Sequence, residues 1–508
     1  MRRQHQTIRI ILNFLGALFI ALGCILLLPL GLTLVDGEIW QGQRTFLAFS
    51  LPVATSFVLG IAFKGFYRDA APPNNLEAIL IVSIGWITVS AIGAIPFVIG
   101  INSSYLDGYF EAMSGFTTTG ITMYTGLDWM PRSILFWRAI TQWLGGLGIL
   151  TFFLAVTYQG GSTHRLFGAE SHKIEVGRPV PSLARTVQIL VGIYIGITIA
   201  IFSGLLLVGM SPFDSIAHSL TTISTGGFSP YDASIEYYRL SGHPNYIWIE
   251  YIIIVGMLAG GTSFLIHFRL LNGSWRALYD NIEVRYWWAL IGLFVILILG
   301  ERLIRLETFA NFRPFHLGFW QVIEEDFRIV LFQVIAIITT TGFGTHDIAG
   351  SFFGTEAREL FLIMMVIGGC VGSTGGGFKV LRIAILVKLI QREIYRLRSP
   401  IQAISTIIID GEPVEMDEIQ RVSGIFFAWI ALLILGGGIT ALFSQFNGYQ
   451  ALSGMFSALG NIGPAYISVQ DMGQLHPIIK ITYIFGMLAG RLEILPVLVL
   501  FSPRAWRA

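Results

Sequence analysis

Thr117-Thr118-Thr119-Gly120 and Thr339-Thr340-Thr341-Gly342 present the same residue types in the same order, each wedged between apolar runs. Two looser copies are Thr222-Ile223-Ser224-Thr225-Gly226-Gly227 and Gly460-Asn461-Ile462-Gly463. These segments offer hydroxyl and backbone carbonyl oxygens, all neutral. A protein that strips water from a monovalent cation must replace it with oxygens, and rings of backbone carbonyls do so. Glycine permits the backbone conformations that turn carbonyls inward, and a neighbouring small hydroxyl can satisfy the freed N–H groups. No carboxylate lies within the four segments, which excludes a divalent-cation ring of Asp or Glu. The nearest acidic candidate is Glu111. The four segments read as the walls of one ion pathway.

Aligned on glycine, the first and third copies superpose without gaps. In the second, Phe228-Ser229-Pro230-Tyr231-Asp232 matches Phe343-Gly344-Thr345-His346-Asp347, which favours Gly227 over Gly226 as the equivalent of Gly342 and leaves both open. The fourth aligns on Gly463.

Such segments need a frame. Of the 508 residues, 54% are hydrophobic and only 12% charged, and mean hydropathy is +0.70. Soluble domains carry about 25% charged residues, so the chain is an all-α polytopic membrane protein. Its net charge of +1 gives no field for nucleic acid. Apolar runs of the length needed to cross a bilayer, about 20 residues, begin with a pair, Ile8–Leu30 and Thr45–Phe66. The apolar run after the basic N-terminus is too long for a signal sequence and reads as a retained span. An order then repeats four times: long apolar run, short amphipathic run, Thr/Gly segment, long apolar run. The copies occupy residues 71–165, 166–275, 276–400 and 401–508, after an additional helix pair in 1–70. Ten full spans result.

The short runs (Asp107–Phe116, Pro212–Thr222, Asp326–Ile337 and Gly448–Leu459) are about 15 Å long as helices, half of a bilayer core. That suits a re-entrant half-helix, the alternative being an amphipathic surface loop. Most Lys and Arg fall on the side of the N-terminus, so both termini are expected in the cytoplasm. The segment carrying Arg302, Arg305, Arg313 and Arg328 is the exception. Cys24 and Cys370 lie in membrane-type sequence and form no metal motif.

Taken together, the four endings resemble those of the TrkH/TrkG and KtrB potassium-uptake proteins, with plant HKT transporters as more distant relatives. The resemblance runs from about Leu76 to the end, and the extra first pair looks like the TrkH branch. It implies a pseudo-fourfold channel in one chain, with a potassium filter at Thr118-Thr119-Gly120, Thr225-Gly226-Gly227, Thr340-Thr341-Gly342 and Asn461-Ile462-Gly463. In plant relatives a serine at the first filter glycine accompanies sodium preference, so Gly120 implies potassium. The fourth loop departs most from the pattern.

Gly368-Gly369-Cys370-Val371-Gly372-Ser373-Thr374-Gly375-Gly376-Gly377-Phe378-Lys379 interrupts the long run of the third copy, where so many glycines will not hold a helix. A phosphate cradle is disfavoured, lacking the Lys-Ser/Thr ending and a preceding strand; a plain kink is the simpler alternative. The resemblance implies a gating loop under the filter. Arg491, deep in the last span, is a functional candidate by its cost there. It can pair with Glu493 or Glu111, and the resemblance implies that it projects below the filter as a barrier to cations; the two roles are compatible, since a paired arginine can still narrow the pathway. His218 and His346 read as structural, and Gly145-Gly146-Leu147-Gly148 as helix packing through small residues. No nucleophile–base set appears, so no enzyme is expected. The resemblance further implies a bacterial inner-membrane protein, a homodimer, with potassium as its transported ion and no organic cofactor. A cytosolic TrkA-type nucleotide-binding partner is implied too, with Gln159–Arg185 and Lys379–Arg398 as contact candidates. A sodium-permeable or sodium-coupled transporter with re-entrant loops is the rival reading.

Overall fold

Three of the four short runs begin on a side chain that accepts from the free N–H groups of a first helical turn. Ser104 caps the helix Tyr105–Phe116, Ser211 caps Pro212–Ile223, and Asn447 caps Gly448–Gly460 in a reciprocal box with Gln450. The third short helix is longer than its sequence suggests, running Phe319–Ile338 instead of starting at Asp326. Glu324 and Arg328, one turn apart and bonded at 2.9 Å, carry it across the expected start. The computed structural model describes residues 2–41, 44–158, 183–304, 319–400, 405–503 and 505–507. Residues 159–182 of the contact candidate Gln159–Arg185 lie outside the described residues, as do Arg305 and Arg313.

Each short helix packs against three long neighbours. Tyr105–Phe116 lies against Asn75–Gly93 before it, Arg132–Tyr158 after it, and Pro477–Arg491 of the fourth copy. Pro212–Ile223 lies against Leu183–Leu207, Tyr246–Gly261 and, from the first copy, Arg132–Tyr158. Phe319–Ile338 contacts Ile282–Ile304, Thr355–Ile367 and the second copy's Tyr246–Gly261. Gly448–Gly460 contacts Met416–Leu442, Pro477–Arg491 and the third copy's Thr355–Ile367. The set closes on itself. The first pair, Arg2–Val35 and Thr45–Phe66, packs together outside it, against Asn75–Gly93.

Six described helices are long and apolar enough to cross a membrane, and seven if one bent pair counts as a span. Their outward faces leave Leu207, Val255, Ile296 and Phe427 exposed, a surface suited to lipid and not to water. The last helix of most copies is broken where hydropathy reads straight through. Tyr246–Gly261 and Phe264–Leu271 meet at 104°, and Pro477–Arg491 stops before Ile494–Val499. In the third copy the glycine-rich segment separates Thr355–Ile367 from Val380–Arg398, so a simple kink is excluded. Cys24 and Cys370 are free.

Candidate ion pathway

All four short helices end in the same way. Thr119 N–H reaches back to Ser114 O at 2.8 Å and Thr118 N–H to Gly115 O at 2.9 Å, the pair of bonds that defines a Schellman cap. The same pair links Gly226 to Thr221 and Thr225 to Thr222, Thr341 to Ala336 and Thr340 to Ile337, and Ile462 to Ser457 and Asn461 to Ala458. Such a cap puts one residue in the left-handed region, usually glycine. Here it is Thr118 (φ 52°), Thr225 (51°), Thr340 (59°) and Asn461 (54°). A β-branched residue at positive φ is an outlier, and strain of about 1–3 kcal/mol per site persists where the surroundings enforce it, typically at functional positions. Two residues on, Gly120 (82°), Gly227 (77°), Gly342 (81°) and Gly463 (109°) are again at positive φ. The common spacing aligns Gly227 with the other three and sets Gly226 opposite Thr119.

Hydroxyls brace these ends from behind. Thr117 Oγ1 donates to Met113 O at 2.6 Å and meets Thr119 Oγ1 at 2.7 Å. Thr339 does the same with Ile335 O and Thr341 Oγ1, again at 2.6 and 2.7 Å. The second copy keeps only Ser224 to Leu220 O, 2.8 Å. In the fourth, Asn461 Nδ2 crosses to Thr119 Oγ1, 2.9 Å. Thr118 Oγ1 and Asn461 Oδ1 are buried without a protein partner, so neutral oxygens remain free at this level.

The segments meet in a cycle. A Cβ placed on Gly120 would lie 2.3 Å from Gly226 O, one on Gly227 2.0 Å from Thr341 O, one on Gly342 1.8 Å from Ile462 O, and one on Gly463 3.0 Å from Thr119 O. Each glycine thus admits the equivalent carbonyl of the next copy, and the fourth returns to the first. All four glycines line one side of a cavity of about 370 Å³, which also reaches Asp232, Glu236 and Asp347. His346 lines it as well; burial, then Arg239, Arg302 and Arg328, push its pKa down to about 4. It is therefore neutral at ordinary pH.

On the opposite side of the filter-like segments lies the glycine-rich loop. Gly376 N–H donates to Thr340 Oγ1 at 2.7 Å, and Thr374 Oγ1 donates to Ile223 O and Gly260 O at 2.8 and 3.0 Å. Thr225 Oγ1 reaches Thr374 Oγ1 at 3.4 Å, and Lys379 Nζ holds Gly375 O at 2.5 Å. Positive φ at Gly368, Gly372 and Gly377 lets the chain turn here, and Ser373 Oγ closes back on Cys370 O at 2.6 Å. Gly145, Gly260 and Gly490 sit against the helix-end carbonyls Phe116 O, Ile223 O and Leu459 O, while Gly375 sits against Thr339 O. The residue after each is Gly146, Gly261, Arg491 and Gly376, and the three glycines press against Ser224, Thr339 and Gly460 of the next copy. The fourth copy alone has a side chain there. Arg491, 3% exposed, donates to Thr374 O at 2.7 Å and Gly145 O at 2.9 Å.

Residues 51–507 match the TrkH family, described as cation transport proteins. The chain belongs to the TrkH family. It is 32% identical to the Trk system potassium uptake protein TrkH of Salmonella typhimurium over 98% of this chain and 99% of that one. The Escherichia coli TrkH is 34% identical over 87% and 88%. The crystal structure of the potassium transporter TrkH from Vibrio parahaemolyticus superposes with a TM-score of 0.83 at 29% identity, covering 98% and 100% of the two chains.

In this TrkH-family chain the residues of the four expected filter segments converge, and the expected gate residues lie directly against them. The carboxylate pairings do not hold. Glu111 is taken by Arg138 at 2.8 Å and by Thr122 Oγ1 and Met123 N–H, and Glu493 by Arg382 at 2.6 Å. Arg491 uses backbone carbonyls instead, because both carboxylates already face arginines remote in sequence. His218 is buried between Asp214 O and Ser229 Oγ, at 2.9 and 3.3 Å. Two residues were overlooked. Arg138 also donates to Ser229 O at 2.9 Å, and Gln142 holds Gly226 O at 2.6 Å. Their signal was present: two polar side chains one helical turn apart inside an apolar run.

Proposed function

We propose that this chain takes up potassium through a single-file pore whose filter is Thr118–Gly120, Thr225–Gly227, Thr340–Gly342 and Asn461–Gly463. The observation that carries this reading is the closed cycle of glycine–carbonyl contacts, made by four helix ends with the same two positive-φ positions. Neutral oxygens presented by a strained, mutually braced backbone suit a dehydrated monovalent cation. The cycle of packing around the short helices supports a pseudo-fourfold channel of four repeats after an N-terminal pair, with ten crossings in all; the excess of Lys and Arg on the side of the N-terminus supports cytoplasmic termini.

The loop Gly368–Gly377 and Arg491 are the gate in this reading. The loop's bonds to Thr340 and Thr225 support this reading, and a guanidinium beside the path opposes cations. Membership of a family whose curated relatives are named Trk system potassium uptake proteins supports potassium as the cargo; a cytosolic nucleotide-binding partner of TrkA type, a homodimeric assembly and a bacterial inner-membrane location complete the proposal. The contact candidate Lys379–Arg398, whose helix leaves Ile390, Ile394 and Leu397 exposed, is the surface for that partner in this reading. The test is rescue of a potassium-uptake-deficient bacterium at low external potassium. Solute-dependent sodium uptake without potassium flux would sink the proposal.

A further inference from the structure

Gln142 sits within the helix Arg132–Tyr158 and is fully buried. Its Nε2 donates to Gly226 O at 2.6 Å, and its Oε1 accepts from Phe228 N–H at 3.0 Å. The two bonds straddle Gly227, and they run from one copy to the next. A side-chain amide carries its donor and its acceptor on two separate atoms, which a single hydroxyl cannot do.

The glycine it grips is unusual. In the first and third copies that position holds Thr119 and Thr341, whose hydroxyls meet Thr117 and Thr339 at 2.7 Å. A Cβ on Gly226 would lie 2.3 Å from Gln142 Cδ and 2.4 Å from its Oε1. A threonine here would drive the glutamine out of the pose in which it makes these two bonds. The residues three before Gly260, Gly375 and Gly490, where Gln142 stands before Gly145, are Met257, Gly372 and Met487. None is an amide. The second copy has therefore exchanged its internal hydroxyl brace for an external one.

We infer that Gln142 is a positioning residue for ion selection, fixing the Gly226 carbonyl, and that Gly226 is glycine to admit it. The inference rests on the filter reading above. Gly226 O also abuts Gly120, so the grip sets the seam between the first two filter segments. Without it, two consecutive glycines are free to turn, and a buried carbonyl is left unpaired.

The full-length chain is expressed in the potassium-uptake-deficient bacterium, and uptake of potassium and sodium is compared at matched concentrations. Gln142→Met keeps length and approximate volume but removes both bonds. Potassium-over-sodium discrimination should fall about tenfold, the equivalent of about 1.4 kcal/mol. Gln142→Ala and Gly226→Thr should each lose discrimination. Together they rebuild the brace of the first and third copies, and should recover it to within about threefold of the parent. A role in folding alone would not produce that reciprocal rescue of an ion ratio. Unchanged discrimination in Gln142→Met, with Gly120→Ala still altering it, overturns the inference and leaves the filter reading standing. If Gly120→Ala is also silent, the filter reading falls and takes the inference with it. If Gln142→Met does not accumulate, the pair decides: a double variant no more selective than Gln142→Ala overturns the proposal.

Discussion

The four glycines of the cycle can be ranked before any is replaced. Alanine at any of them pays a similar penalty for positive φ, about 1–2 kcal/mol. What differs is the carbonyl ahead of the new methyl. Real Cβ atoms essentially never approach closer than 3.0 Å, so Ile462 O must withdraw from 1.8 Å in Gly342→Ala, a shift of about 1.2 Å. Thr341 O must move from 2.0 Å, about 1.0 Å, in Gly227→Ala, and Gly226 O from 2.3 Å, about 0.7 Å, in Gly120→Ala. In Gly463→Ala, Thr119 O already lies at 3.0 Å and need give only a few tenths of an ångström. Binding geometry tolerates about 0.5 Å of error; three of the shifts exceed that and one does not. Discrimination between potassium and sodium should therefore fall by about tenfold or more, about 1.4 kcal/mol, in the first three variants, most in Gly342→Ala. It should fall by less than about threefold in Gly463→Ala, whose cost appears as stability instead. The assay is competitive uptake, with size-exclusion chromatography of the fluorescently tagged chain to confirm folding. Equal losses in all four variants, or the largest in Gly463→Ala, would refute the reasoning, because strain and not carbonyl displacement would then govern.

Arg491→Gly restores the glycine that the other copies carry and should raise potassium flux at unchanged discrimination. Two unit charges about 4 Å apart interact by about 4 kcal/mol at an effective dielectric of 20, and a third of that is about tenfold in rate; an unaltered initial uptake rate would remove Arg491 from the gate. His346 has a folded pKa of about 4 against an ordinary 6.5. The unfolded chain binds that proton first as pH falls, so stability is full above pH 6.5 and is lost on the descent to 4. In His346→Gln that loss should be smaller in melting temperatures taken across the window, with no difference between the two chains above it.

The register of the filter-like segments was legible because glycine and threonine repeat at fixed offsets. The choice between Gly226 and Gly227 was legible only in part, from the match that begins at Phe228, since each is glycine for a different reason: Gly227 for its φ, Gly226 for the room it leaves Gln142. Hydropathy concealed the breaks at Thr262-Ser263 and Leu492-Glu493, where a few polar residues interrupt an otherwise apolar run. Only in the third copy did the glycines announce one. The partners of Glu111 and Glu493 were invisible for another reason: Arg138 and Arg382 are brought to them by packing between helices, on which local spacing is silent. The early start of the third short helix was missed because residues near Phe319 read as a charged connection until Glu324 and Arg328 are seen to share a helical face.

Gly146, Gly261, Gly376 and Arg491 occupy one place in the four copies. Were the ring assembled from four identical subunits, symmetry would copy any residue at this place four times over. An arginine would then mean four like charges crowded around one axis, each pair repelling in a medium that screens poorly. Joining the copies in one polypeptide lifts that restriction. A single guanidinium can be installed in a ring whose other three members stay small, and its bonds to Thr374 O and Gly145 O attach it to two different neighbours. Covalent linkage therefore permits control by one charge, a dose that strict fourfold symmetry cannot deliver.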